Sequence, residues 1–113
     1  MTMVIKGTRA VVKVVTDLDA TVLETSLAEH WVVPVWQDDE PHFDEVDVAR
    51  LRLIVSLKRA CDIDDEALGV VLSLHDQLMG ARQQLRAMAS AVATLDEATR
   101  TAIAKACRDA LPD

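Results

Sequence analysis

The period of apolar and polar positions changes several times along this chain, and each change marks an element. Met1 to Gly7 has no pattern and reads as a frayed end. Arg9 to Val15 carries Val11, Val12, Val14 and Val15; their β-branching favours a strand, while the paired spacing also suits one side of a short helix. The reading leans to strand or irregular structure. Val22, Leu23, Ser26 and Leu27 then line one side of a helix over about 20–30, with Thr16, Asp17 or Asp19 as its cap and Glu24 and Glu29 facing outward. Trp31 to Trp36 and His42 to Phe43 follow as short extended stretches, because Pro34 steers its predecessor away from helical angles. The polar run Asp38-Asp39-Glu40-Pro41 is the turn between them.

A helix begins directly after this hairpin. Asp44 is placed to cap it, and Asp47, three residues on, resembles the return arm of a capping box. Val46, Leu51, Leu53, Ile54 and Leu57 recur at helical spacing to about Ala60. The pattern breaks at Cys61-Asp62-Ile63-Asp64, where Asp64 can cap the next and longest helix. Along that helix Val71, Leu74, Leu78, Ala81, Leu85, Met88, Val92 and Leu95 alternate steps of three and four, which is a heptad seam. Such a seam packs on a partner helix, in this chain or in a second copy. Thr94-Leu95-Asp96-Glu97 reads as another capping box, starting a last helix near Leu95 that runs to about Ala110. Its Ile103, Ala106, Cys107 and Ala110 could fold back on the seam in competition with a homodimer, and Leu74, Leu78, Ala81, Leu85 and Met88 are the candidate dimer contacts. The chain divides as residues 1–66, hairpin and flanking helices, and 67–113, long helix and extension, the two reading as one structural unit.

Composition adds little to the fold and more to the function. The 113 residues suit one modest core, and the only large rings, Trp31, Trp36 and Phe43, all fall in the hairpin, which therefore supplies the bulk of a core otherwise built from Leu, Val and Ala. Cys61 and Cys107 are far apart, lack C-x-x-C spacing and follow no signal peptide, so the expectation is reduced thiols in a cytoplasmic protein. No apolar run reaches the roughly 18 residues of a membrane span. The glycines form no phosphate loop, and His30, His42 and His75 share no metal-ligand spacing with the cysteines. The expectation is a protein without enzymatic activity, metal or cofactor.

Charge gives the sharpest signal. The formal net charge is −7, and no Lys or Arg occurs between Lys13 and Arg50, where ten carboxylates stand. A helix followed by a hairpin and a second helix is a frame usually built to hold DNA, yet phosphates are held by cations. Acids on the tip and on the preceding helix fit a positively charged protein better, with Trp36 as the apolar anchor and Glu24, Glu29, Asp38, Asp39 and Glu40 around it. Arg50, Arg52, Lys58 and Arg59 are expected to pair with Asp44, Glu45, Asp47 or the acids of Asp62 to Glu66, or to face water.

These residues also resemble a family. Pro41 to Ile54, PHFDEVDVARLRLI, is similar to the wing-to-helix junction of MerR-type regulators, in which an aromatic ends the wing. Trp31-Val32-Val33-Pro34 resembles their exit from the recognition helix, with Trp31 in place of glycine, and Leu57 to Leu68 resembles their link into the long helix. The likeness covers roughly residues 17–90. It implies a mainly α fold: a MerR-like winged helix-turn-helix with a short two-stranded wing, a long C-terminal helix and a further short helix. DNA-binding members carry arginine and tyrosine on the recognition helix and arginines in the wing, where this chain has Thr21, Glu24, Thr25, Ala28 and Glu29 on the first and Gln37, Asp38, Asp39 and Glu40 on the second. That departure looks like the chaperone-modulator branch, the CbpM family. The resemblance implies binding to the J-domain of a DnaJ- or CbpA-like co-chaperone, which presents a basic helix beside a His-Pro-Asp loop, and inhibition of its cooperation with Hsp70. The alternative is a MerR-family DNA-binding transcriptional regulator.

Overall fold

A computed structural model describes residues 3–112 of the chain. The described residues are mainly helical, with five α-helices and a small antiparallel sheet of three strands. They divide into two compact units, Met1–Ser73 and Leu74–Asp113.

The first unit opens with a strand, β1 (Val4–Lys6), where the sequence pattern suggested a frayed end. Three residues hold no strand by themselves; β1 exists because it pairs antiparallel with a later segment, placing Ile5 opposite Phe43. Gly7 follows at φ +90°, and its N–H donates to the Pro41 carbonyl at 2.8 Å. This backbone conformation calls for glycine, whereas the only close neighbour of an added Cβ, the Glu40 carboxylate, is the movable end of an exposed side chain. The valine run is then a helix, α1 (Thr8–Val14), and the strand reading is corrected. Val11 is fully buried and Val15, four residues on, nearly so, because one apolar stripe reaching the core outweighs β-branched propensity.

The second helix, α2 (Ala20–Ala28), is capped by Asp19, whose Oδ1 accepts from the Val22 N–H at 2.8 Å. Leu23 and Ser26 are buried and Val22 and Leu27 half-buried, as the stripe predicted. Ser26 Oγ is satisfied inside the core by donating to the Val22 carbonyl at 2.7 Å. The helix stops at Glu29, and His30, at φ 59°, turns the chain out. The hairpin is shorter than its apolar stretch suggested: β2 (Val35–Gln37) pairs with β3 (Glu40–Asp44), which lies in the middle of the sheet with β1 on its other side.

The next helix, α3 (Glu45–Cys61), starts on the predicted capping box: Asp47 N–H donates to Asp44 Oδ1 at 2.8 Å, and Asp44 N–H donates to Asp47 Oδ2 at 3.0 Å. Its buried stripe is Val48, Leu51, Ile54 and Val55, whereas Val46, expected inward, is 75% exposed because it lies in the first turn on the far side. Asp62 ends the helix in the left-handed region, and Asp64 caps α4 (Asp65–Ala93) through the Ala67 N–H at 2.8 Å. The opening turns of α4 close the core with Leu68 and Leu72, and Gly69 lies beside the Trp31 indole, whose nitrogen would stand at ordinary contact distance, 3.5 Å, from an added Cβ.

The second unit contains the rest of α4 and a final helix, α5 (Glu97–Ala110). Asp96 caps α5 by accepting from the Thr99 N–H at 2.8 Å. Thr94, the expected cap, instead donates its hydroxyl to the Ala91 carbonyl at 2.7 Å and closes the end of α4. Among the described residues no helix is long and apolar enough to cross a membrane.

Candidate partner-binding face

Phe43 is fully buried on β3 and Trp31 is nearly so, but Trp36, the third ring assigned to the core, is 58% exposed. Alternation along β2 explains the difference. Val35 and Gln37 point to one face of the sheet and Trp36 to the other, where it stands opposite Pro41 on an edge strand of three residues. Gly7, whose N–H donates to the Pro41 carbonyl, and the start of α1 lie beside it, and with them Trp36 lines a hollow of about 580 Å³.

The turn joining β2 and β3 consists of Asp38 and Asp39, with Gln37 paired to Glu40. Both turn residues have positive φ, 54° and 58°, as a two-residue hairpin turn compatible with strand twist requires. Aspartate tolerates this conformation better than most side chains, although asparagine and glycine suit it best. The local fold therefore projects Asp38 and Asp39 into solvent with Glu40 and Trp36 directly behind them, all four exposed. Asp39, Glu40 and Trp36 share the hollow. Glu24, outward on α2, lines a separate cleft on the other side of α1, and Glu29 sits exposed at the end of α2; neither Glu29 nor Asp38 belongs to either concavity.

Three basic residues complicate the charge pattern read from sequence. Lys6, Arg9 and Lys13 line the same hollow as Trp36, Asp39 and Glu40, brought there by the pairing of β1 with β3 and by α1 being a helix with Arg9 and Lys13 one turn apart. Their i, i+4 spacing was available in the sequence, but it carries meaning only on a helix. One acid of the stretch also finds a cation from outside it: the Arg59 guanidinium on α3 donates to the Asp17 carboxylate, 42 positions away. Lys58 pairs with Asp65 at 3.0 Å, within the expected group of acids, while Arg50 Nε donates to the Trp31 carbonyl at 2.9 Å and ties the exit of α2 to α3. At the start of α3, burial pushes the Asp47 carboxyl above its ordinary value; the Asp44 N–H pulls it back and the Asp44 charge adds to the rise.

The heptad seam lies uncovered. Leu74, Leu78, Leu85 and Met88 are between 51% and 65% exposed, and Ala81 between them is exposed too. Ile103 of α5 is half-buried while Ala106, Cys107 and Ala110 are exposed, so the last helix does not close over the seam. Cys61 and Cys107 are both free and exposed. Among the described residues no group of three His, Cys, Asp or Glu side chains is placed to hold a metal ion. Comparison with family models, with characterised proteins and with solved structures returns no match for this chain.

Proposed function

We propose that this chain is an interaction module for a positively charged protein: a chaperone modulator of the CbpM type within the MerR-like winged helix-turn-helix superfamily, taking the J-domain of a DnaJ- or CbpA-like co-chaperone as its partner. Binding there restrains the co-chaperone's work with Hsp70 in the cytoplasm. The observation that carries the reading is Trp36, 58% exposed behind a tip made of Asp38, Asp39 and Glu40. An exposed aromatic set among charges that speed encounter and fix orientation is the arrangement of an interface anchor with its steering rim. The order of α2, a two-residue-turn hairpin and a capped α3 is what a winged motif needs, and the residues of Pro41 to Ile54 resemble the family at this junction.

The test is calorimetry of the full chain with a cognate J-domain at low and high salt. Heat at low salt that weakens at high salt is expected, with Trp36→Ala costing at least about tenfold in affinity. Replacing Asp38 by Asn and Asp39 by Gly removes two charges yet suits the turn better, so affinity should fall while thermal stability holds or rises. Absence of heat at both salts, with both proteins folded, removes the proposal.

A second reading has its own support. Lys6, Arg9 and Lys13 stand beside the wing and none has an ion pair among the described residues, so a phosphate backbone would find some cations there. As a MerR-type transcriptional regulator the chain would shift its own promoter in a gel at stated salt, with a steep negative dependence of affinity on salt. In either reading the exposed seam of Leu74, Leu78, Ala81, Leu85 and Met88 is the proposed homodimer contact. Leu78→Asp should turn a dimer seen by sedimentation into a monomer.

A further inference from the structure

Between α1 and α2 lies a cleft of about 380 Å³, a size within the range of small-molecule sites. Its walls are Val12, Ala20 and Leu27, and Leu23, itself part of the core, lines it as well. Its polar lining is Thr8, Arg9 and Lys13 from α1 and Glu24 from α2. Both helices are short, seven and nine residues, so the walls run only about 10–14 Å at 1.5 Å per residue. That length accepts an extended aliphatic chain. It is too short for a docked helix, which needs anchors spread over two turns or more. Arg9 and Lys13 stand one turn apart, and among the described residues neither has a hydrogen-bond or ion-pair partner; Glu24 is the one carboxylate lining the cleft, while Asp39 and Glu40 share the hollow that the same two cations border outside it. A mainly apolar slot lined by two cations and one carboxylate is complementary to a ligand with an apolar body and an anionic head.

We propose that this cleft binds a small amphipathic anion, with an aliphatic chain between Val12 and Leu27 and its carboxylate at Arg9 and Lys13. Burial of the chain supplies most of the affinity and the two cations select acid over alcohol. Each methylene that enters strengthens binding by up to about fourfold until the slot is full. The site does not depend on which macromolecule the wing binds, although Arg9 and Lys13 also border the hollow beside the wing and Glu24 is among the acids of the proposed partner face.

The experiment titrates the full chain with hexanoate, octanoate and octanol at low salt, following backbone amide resonances alongside calorimetry. Saturable shifts confined to α1 and α2 are expected, with octanoate tighter than hexanoate and tighter than octanol. Arg9→Gln together with Lys13→Gln, both at exposed positions, should weaken octanoate by about five- to tenfold and leave octanol unchanged. Glu24→Gln should strengthen octanoate about two- to fivefold, because it removes the facing negative charge. Ala20→Trp, which fills the slot from an exposed position, should abolish both ligands. Equal affinity for acid and alcohol, shifts spread over the molecule without saturation, or octanoate binding indifferent to Arg9, Lys13 and Glu24 would each overturn the proposal. Since the charge variants lie on the surface, the result does not depend on the filled-slot variant folding.

Discussion

Among the described residues, all fourteen of the buried apolar core, from Ile5 to Leu72, lie in the first unit and none in the second. The second unit is not poor in apolar residues, since Leu74, Leu78, Leu85, Met88, Leu95 and Leu111 are all there, but each is more than 40% exposed. The difference teaches that apolar content does not make a core. A side chain contributes when neighbours from other elements remove it from water, and in the first unit helices and a sheet converge on Phe43, Leu51 and Leu68, whereas α5 buries no residue at all. The helices of the second unit are held by caps and propensity, which are weak in isolation. Their exposed leucines are the reason a second copy is proposed to cover them.

The comparison can be broken most forcefully at Phe43. Phe43→Ala should cost the first unit about 3–5 kcal/mol, and Leu85→Ala in the monomer almost nothing, since a side chain already in water leaves no cavity. Both tryptophans are in the first unit, so their fluorescence follows that unit alone during urea unfolding, while far-ultraviolet circular dichroism follows both. If Leu85→Ala lowered the fluorescence midpoint as much as Phe43→Ala, the division into a cored and an uncored unit would be wrong. At Gly7, substitution by Ala should cost about 1–3 kcal/mol, because its positive φ is nearly exclusive to glycine; the same unfolding curves measure it.

A smaller effect compares two caps of the same chemistry. Asp44→Ala should cost the first unit about 1 kcal/mol, since α3 is packed and its fraying is felt by the core. Asp96→Ala removes a similar bond from α5, and it should lower the helical signal without moving the fluorescence midpoint. A fluorescence shift from Asp96→Ala would mean that the last helix supports the core after all.

How much of this could be read in advance differs by element, for one reason. The cap and part of the stripe of α3 were legible because they are local: Asp44 and Asp47 stand three apart and Leu51 and Ile54 recur with the helix, whereas Val48 and Val55 were missed and Val46 was placed inward. β1 and α1 were not, because what decides them lies about forty positions away in β3 and in the core that Val11 and Val15 join. The candidate face divides the same way. Its acids, Asp38 to Glu40, are contiguous and plain in the sequence, while Lys6, Arg9 and Lys13 reach them only through that pairing. Trp36 read both as a core ring, by composition, and as an exposed anchor, by its place beside the acids; its exposure follows from the edge position and face of β2, which composition does not encode. At the start of α5, Asp96 lies two residues beyond Thr94, and both are good caps; the register of the helix, not the residue types, chose between them.

The smallest effect is one of sign. Burial raises the folded Asp47 carboxyl above its unfolded value, so the folded first unit holds this proton more tightly, and the group's contribution falls as pH rises from about 4 through the raised value. At neutral pH its ionisation is a small net cost, partly offset by the bond from the Asp44 N–H. Asp96 behaves oppositely. The Thr99 N–H and hydroxyl hold its carboxyl below the usual range, so its cap is fully present above about pH 4 and is lost as pH falls through the lowered value. Acidification should therefore weaken α5 while relieving the start of α3. Asp47→Asn keeps an oxygen to accept from Asp44 and removes the penalised charge, so its fluorescence midpoint should equal or exceed the parent's at pH 7 and fall below that advantage near pH 3. An Asp47→Asn variant less stable at pH 7 than at pH 3, relative to the parent, would mean that the carboxylate there is a favourable charge and that the hydrogen bond from Asp44 outweighs its burial.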